Sequence, residues 1–253
     1  VNTAYAEYSV AANEVPLIKV IPLAVGSVLI SRYVQFNLQS KKDELLSLWY
    51  KGIEKVSLLV IPMTILFTLL APELITFLFE TEGVSYANAV LPFQLYNLIV
   101  LIRVTHYGSI LQAFGDTKGV FYFSLNLLAA NVILSVPMTM YFGIVGTALG
   151  TLIANLYNWL LLLRRIGTHM ELPFWKVLPF PFYGKVLALS VGIGILMFMV
   201  KEYWLMNIAP LYAILGISLV YLVIYVVASR LIGLISQEDW TTIKSWAGLS
   251  FLR

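Results

Sequence analysis

Seven runs of continuous apolar sequence, each long enough to cross the roughly 30 Å hydrocarbon core of a bilayer, constrain this chain more than any other feature. They fall at residues 8–31, 56–79, 87–112, 120–141, 145–163, 186–200 and 210–229. None alternates as a barrel strand does, so each is expected as a helix, which satisfies its own backbone N–H and C=O groups where water is absent. The expected fold is all-α, a polytopic transmembrane bundle of about seven spans. Composition agrees, since 60% of the residues are apolar or aromatic, only 11% are charged, and the mean hydropathy is +0.87.

The cations give the expected topology. With the first span running outside to inside, thirteen of the sixteen Lys and Arg residues fall on inside loops and the tail, one (Lys201) falls outside, and Lys19 and Arg103 lie within spans. The chain then divides into five spans over 1–166, an inside interfacial linker over 167–185, a terminal pair over 186–230 and an inside amphipathic tail over 231–253. The linker carries Pro173, Pro179 and Pro181 among aromatics, as expected at a membrane interface. Residues 37–55 place Leu45, Leu46, Leu48 and Trp49 among charges and read as an amphipathic helix on the membrane surface. The chain opens on Val1 with no basic-then-apolar leader, which reads as a piece of a longer protein.

Function in such a chain is carried by polar groups placed where they are costly. Arg103 interrupts the third run, and a guanidinium at mid-membrane is unfavourable by about 2.5–3.5 kcal/mol even on the lenient insertion scale. On an unbroken helix at about 100° per residue, Gln94, Asn97, Thr105, Gly108 and Gln112 share one face and Arg103 points almost opposite. Lys19 is the second cation within a span, between Pro16 and Pro22, with Glu14 five residues before it. For both cations, pairing within the bundle and contact with an anionic ligand are open. His106 and Glu14 are candidate ion-coupling groups, although a hydrogen-bonded packing role suits His106 equally.

The fourth and fifth runs carry further polar groups. Ser124, Asn131 and Ser135 share a face, with Asn126 to one side, and Gly146, Gly150 and Ala154 repeat every four residues, the spacing of close helix approach. Thr147, Thr151, Asn155 and Asn158 form an adjacent stripe, read as packing. Prolines at 16, 22, 62, 92 and 137 suit helices that bend.

Several classes are set aside by composition. The chain has no cysteine and only two histidines, so neither a disulfide framework nor a Cys- or His-built metal site is expected. No nucleophile, paired-acid or phosphate-loop pattern stands out, no cofactor is expected, and the net charge of +3 reflects topology rather than nucleic-acid binding.

The stretches "LLAPELITFLF", "ILQAFGDTKG" and "FGIVGTALGTLIAN", with "AEYSVAANEVPLI" near the start, resemble the C-terminal half of bacterial polysaccharide exporters, the O-antigen flippase group of the multidrug, oligosaccharidyl-lipid and polysaccharide superfamily. That resemblance implies a MATE-like transporter fold whose eighth to fourteenth spans are these seven, with the N-terminal lobe as the missing partner. It implies a multi-pass protein of the cytoplasmic membrane, C-terminus inside, in a bacterium or archaeon. The implied activity is alternating-access flipping of an undecaprenyl-diphosphate-linked oligosaccharide for surface polysaccharide, without chemistry on it, alongside glycosyltransferases or a polymerase of the same pathway. On this reading Arg103 and Lys19 attract the diphosphate, and Gln94, Asn97, Asn126 and Asn131 suit sugar hydroxyls. Two alternatives stand beside it: an H+- or Na+-coupled multidrug exporter of the same superfamily, for which buried carboxylates would be expected, and a membrane-embedded polymerase or acyltransferase, for which a long extramembrane loop would be expected.

Overall fold

The computed structural model describes residues 3–12, 16–80, 84–204, 208–237 and 239–241, which are helical throughout apart from connections and an isolated bridge residue at Val84. Among the described residues nine α-helices follow in order: α1 (Thr3–Ala11), α2 (Pro16–Leu38), α3 (Lys42–Leu69), α4 (Ala71–Phe79), α5 (Val90–Ile102), α6 (Tyr107–Ala113), α7 (Thr117–Met170), α8 (Phe180–Trp204) and α9 (Pro210–Leu231). Six helices among the described residues are long and apolar enough to cross a membrane. The longest, α7, doubles back at Gly143, so it supplies two of the seven expected traverses.

That reversal follows from glycine chemistry. Gly143 adopts φ 59° and ψ −141°, a conformation closed to residues with a Cβ, and the arms 117–142 and 144–170 then run antiparallel. They press together where a Cβ on Gly146 would stand 1.9 Å from the Met138 carbonyl oxygen. Hydroxyls and amides close the seam: Thr139 Oγ1 lies 2.7 Å from Thr147 Oγ1, Ser135 Oγ 3.4 Å from Thr151 Oγ1, and Asn126 Nδ2 donates to Asn158 Oδ1 at 3.2 Å.

Three expected elements differ. Residues 42–55 are no separate surface helix but the first turns of α3, with Leu45, Trp49 and Ile53 buried. The reason is Trp49: its ring packs edge-on to Tyr33 and Tyr107 at 6.0 and 6.3 Å, and its Nε1 donates to Val177 O at 2.8 Å. The linker is shorter than expected, since α7 continues to Met170 and α8 begins at Phe180. Val177 and Leu178 sit in the core rather than at an interface, and Tyr50 Oη donates to Lys176 O. The third run is two helices, α5 and α6, broken at 103–106.

The terminal pair packs on the rest. Ile193 and Met197 of α8 and Ala213, Ile217, Tyr221 and Tyr225 of α9 share a cluster with Leu66 and Leu70, and Tyr225 Oη donates to Leu58 O at 3.1 Å. Apolar side chains such as Leu128, Ile133, Met140 and Leu219 point outward, as suits contact with lipid. Of the expected tail only the part up to Thr241 is described, where Lys55 Nζ pairs with Asp239 Oδ1 at 2.7 Å.

Candidate functional site

The break between α5 and α6 builds the site. Arg103 ends α5 with φ −97° and ψ 35°, outside the helical basin, and its N–H turns back to Val100 O at 2.9 Å. From that corner the side chain enters an open-sided cavity of about 280 Å³ lined by α2, the α5–α6 corner and both arms of α7. The guanidinium Nη2 donates to Asn155 Oδ1 at 2.9 Å. Asn158, Trp159 and Leu162 follow Asn155 at helical spacing along the same arm and line the same cavity. Ile18, Pro22 and Leu23 of α2 form another wall, and Leu127 comes from the first arm of α7.

This corner corrects the face assignment. An unbroken helix sets Arg103 against Thr105 and Gly108, whereas the four non-helical residues turn Arg103, Thr105, His106 and Gly108 into one cavity. His106 leads into α6, with its Nδ1 2.7 Å from Ser109 Oγ, and its ring fills the space beside Gly26 of α2.

The other expected residues distribute unevenly. Gln94 does not line the cavity; its Nε2 donates to Thr68 O at 3.0 Å and ties α5 to α3. Asn97 is 4% exposed and outside the cavity wall, with Nδ2 lacking a hydrogen-bond partner among the described residues. Asn126 reaches the cavity only through its bond to Asn158. Asn131 sits in the α7 seam, donating to Thr151 Oγ1 at 3.5 Å. Lys19 belongs to α2, one residue from the lining residue Ile18, and its side chain lies outside the described residues, as does Glu14 altogether. No metal-holding group of three His, Asp or Glu occurs among the described residues.

Asn155, Asn158, Trp159 and Tyr107 line the site without having been expected there. Their signal was in the sequence: Asn155, Asn158, Trp159 and Leu162 recur at helical spacing, but nothing local says that this stripe meets a cavity rather than a neighbour. The described lining thus joins one fixed cation, two carboxamides and an imidazole to apolar walls. Such a setting suits an anionic group, because apolar walls lower the local dielectric and strengthen the field of the guanidinium.

At the end of the bundle that carries the α6–α7 turn lies a second polar cluster. Asp116 Oδ2 accepts from Arg165 Nε at 2.7 Å and His169 Nε2 at 2.8 Å, and its Oδ1 accepts from Gly119 N at 3.0 Å, capping α7. Arg165 above all, with His169 and the Gly119 amide, holds the Asp116 carboxyl well below the usual carboxylate range.

A reversing bundle of bent, partly broken helices around a cationic cavity defines a polytopic helical membrane protein. The sequence model of the family described as "Lipid II flippase MurJ" matches residues 1–238, and the chain belongs to that family. Among solved structures it is similar to "Lipid II flippase MurJ, inward closed conformation", at 20% identity and a TM-score of 0.62, over 90% of this chain and 45% of that one. The chain therefore spans a little under half the length of that structure, and the likeness establishes the shared fold. No curated protein matches it. The sequence resemblance thus reached the superfamily of lipid-linked flippases; the family matched is the MurJ one, and neither match is to the O-antigen group. Neither match is to a multidrug exporter.

Proposed function

We propose that this chain supplies one lobe of a flippase that carries a diphosphate-linked saccharide lipid from the inner to the outer leaflet of the cytoplasmic membrane. The lobe is read as the C-terminal one, with its C-terminus inside, working by alternating access against an N-terminal lobe. The single observation that carries this reading is Arg103, turned by a broken helix into a cavity beside two carboxamides. A diphosphate offers two negatively charged groups to such a donor set, and a guanidinium binds them in fixed planar geometry. Lys19 of α2 is the second cation assigned to the same group. The sugar-binding roles expected of the amides pass from Gln94, Asn97 and Asn131 to Asn155 and Asn158, with Asn126 supporting Asn158.

The family name puts lipid II ahead of a surface-polysaccharide oligosaccharide as the cargo. The reading is tested by reconstituting the transporter, both lobes together, in vesicles that hold fluorescent lipid II or a diphosphate-linked O-antigen-type oligosaccharide, and following arrival in the far leaflet. Faster movement of lipid II is expected, and Arg103→Ala is expected to slow it by about tenfold or more, the loss of a charge-assisted contact. Full transport by a normally inserted Arg103→Ala protein would sink the assignment, and preference for the oligosaccharide would return the cargo to surface polysaccharide.

A further inference from the structure

A helix broken inside a membrane leaves carbonyls without their usual donors, and each must be satisfied from elsewhere. At the α5–α6 corner the carbonyls of Leu101 and Ile102 are those whose helical donors would be the N–H groups of residues 105 and 106, both outside the helix. Side chains from other elements take their place. Tyr183 Oη, from α8, donates to Leu101 O at 3.0 Å, and Tyr107 Oη, from α6, donates to Ile102 O at 2.8 Å. Tyr107 Oη in turn accepts from Trp159 Nε1 at 2.7 Å. Trp159 lies one turn after Asn155, the residue that holds the Arg103 guanidinium, so a single arm of α7 grips both the arginine and the carbonyl just before it.

We infer that Tyr183, Tyr107 and Trp159 form a positioning unit that fixes the broken corner and thereby aims Arg103 into the cavity. Tyr183 is the sharpest member to test. It does not line the cavity and reaches it only through the backbone at Leu101, so any effect it has on ligand passes through the corner. Without these donors the two carbonyls favour closing the gap as continuous helix, which carries Arg103 away from Thr105 and Gly108.

The binding arm of this inference rests on the proposed diphosphate reading; a second arm does not. The transporter, both lobes together, in lipid nanodiscs, as unaltered protein, Tyr183→Phe and Tyr107→Phe, is compared for amide hydrogen exchange at residues 103–106 and for binding of farnesyl diphosphate. Both substitutions keep the ring and remove one hydroxyl. Exchange at 103–106 is expected to change by about threefold or more in each variant, and Tyr183→Phe to bind the probe about three- to tenfold more weakly, the equivalent of one hydrogen bond. The same Tyr183→Phe change made in Arg103→Ala is expected to alter binding by less than about twofold, because the two act through one group. Unchanged exchange in both variants would overturn the inference, and so would an equal loss of binding with and without Arg103. If the unaltered transporter does not bind the probe, the diphosphate reading falls while the exchange arm still decides the positioning role.

Discussion

Arg103 shows how a residue gains its role from its neighbours. A guanidinium in a span is unfavourable in itself; here Asn155 is one group that accepts from it, at a corner that turns it into a polar hollow. Replacing Asn155 by Leu keeps volume and helix propensity but removes that acceptor. Probe binding is expected to weaken about three- to tenfold as Arg103 loses its orientation, measured by titration of the diphosphate probe. Asp116 makes a different case, outside the spans. Its carboxyl is held below the usual range by Arg165, so the ionised form is stabilised by folding, and that stabilisation is complete above the ordinary aspartate value near ~3.9 and fades as pH falls below it. Because Arg165 is about half in water, Asp116→Asn is expected to cost only about 1 kcal/mol at neutral pH. Thermal unfolding of the two proteins should differ at pH 6–7, and the difference should begin to shrink only below about pH 4 and narrow further as pH falls through the depressed native value; a difference that keeps growing below about pH 4 would contradict the sign.

Elements were legible where their cause is local. The α7 hairpin is one such case: two apolar runs, a glycine between them, and small residues every four positions on one arm announce a tight reversal. Gly143 carries the turn, and Gly143→Val is expected to lower stability by about 1–3 kcal/mol, read as a lower melting temperature in detergent, while the same change at the open, helical Gly216 has a smaller effect. The α5–α6 break was not legible. Residues 87–112 contain no proline near Arg103, and Pro92 lies at the start of α5, so the apolar pattern alone argues for one continuous helix. The break is held open from outside by Tyr183, 82 residues from the carbonyl it serves. Likewise 42–55 looked like a surface helix because its pattern is amphipathic, but amphipathicity does not say whether the apolar side meets lipid or protein.

At the scale of the molecule, the terminal pair is joined to the bundle by contacts of mixed kind. Lys201, expected as an isolated outside-loop cation, ends α8 and pairs with Glu73 Oε1 of α4 at 2.8 Å, with side chains 13% and 17% exposed. Glu73→Gln leaves that ammonium poorly matched and is expected to lower stability by about 2–3 kcal/mol, whereas the double change Glu73→Leu with Lys201→Met is expected to recover most of it. Equal melting temperatures for single and double variants would show that the pair does not couple α4 to α8. The sequence by itself determined that the chain is a helical membrane bundle, and that two apolar runs follow each other closely at residues 120–163, because run length and backbone satisfaction act over a few residues. Only the tertiary structure decided which polar groups share a cavity, since the path of α5 into α6 depends on donors from α7 and α8, and a few residues of broken helix turn Arg103 from one side of the bundle to another.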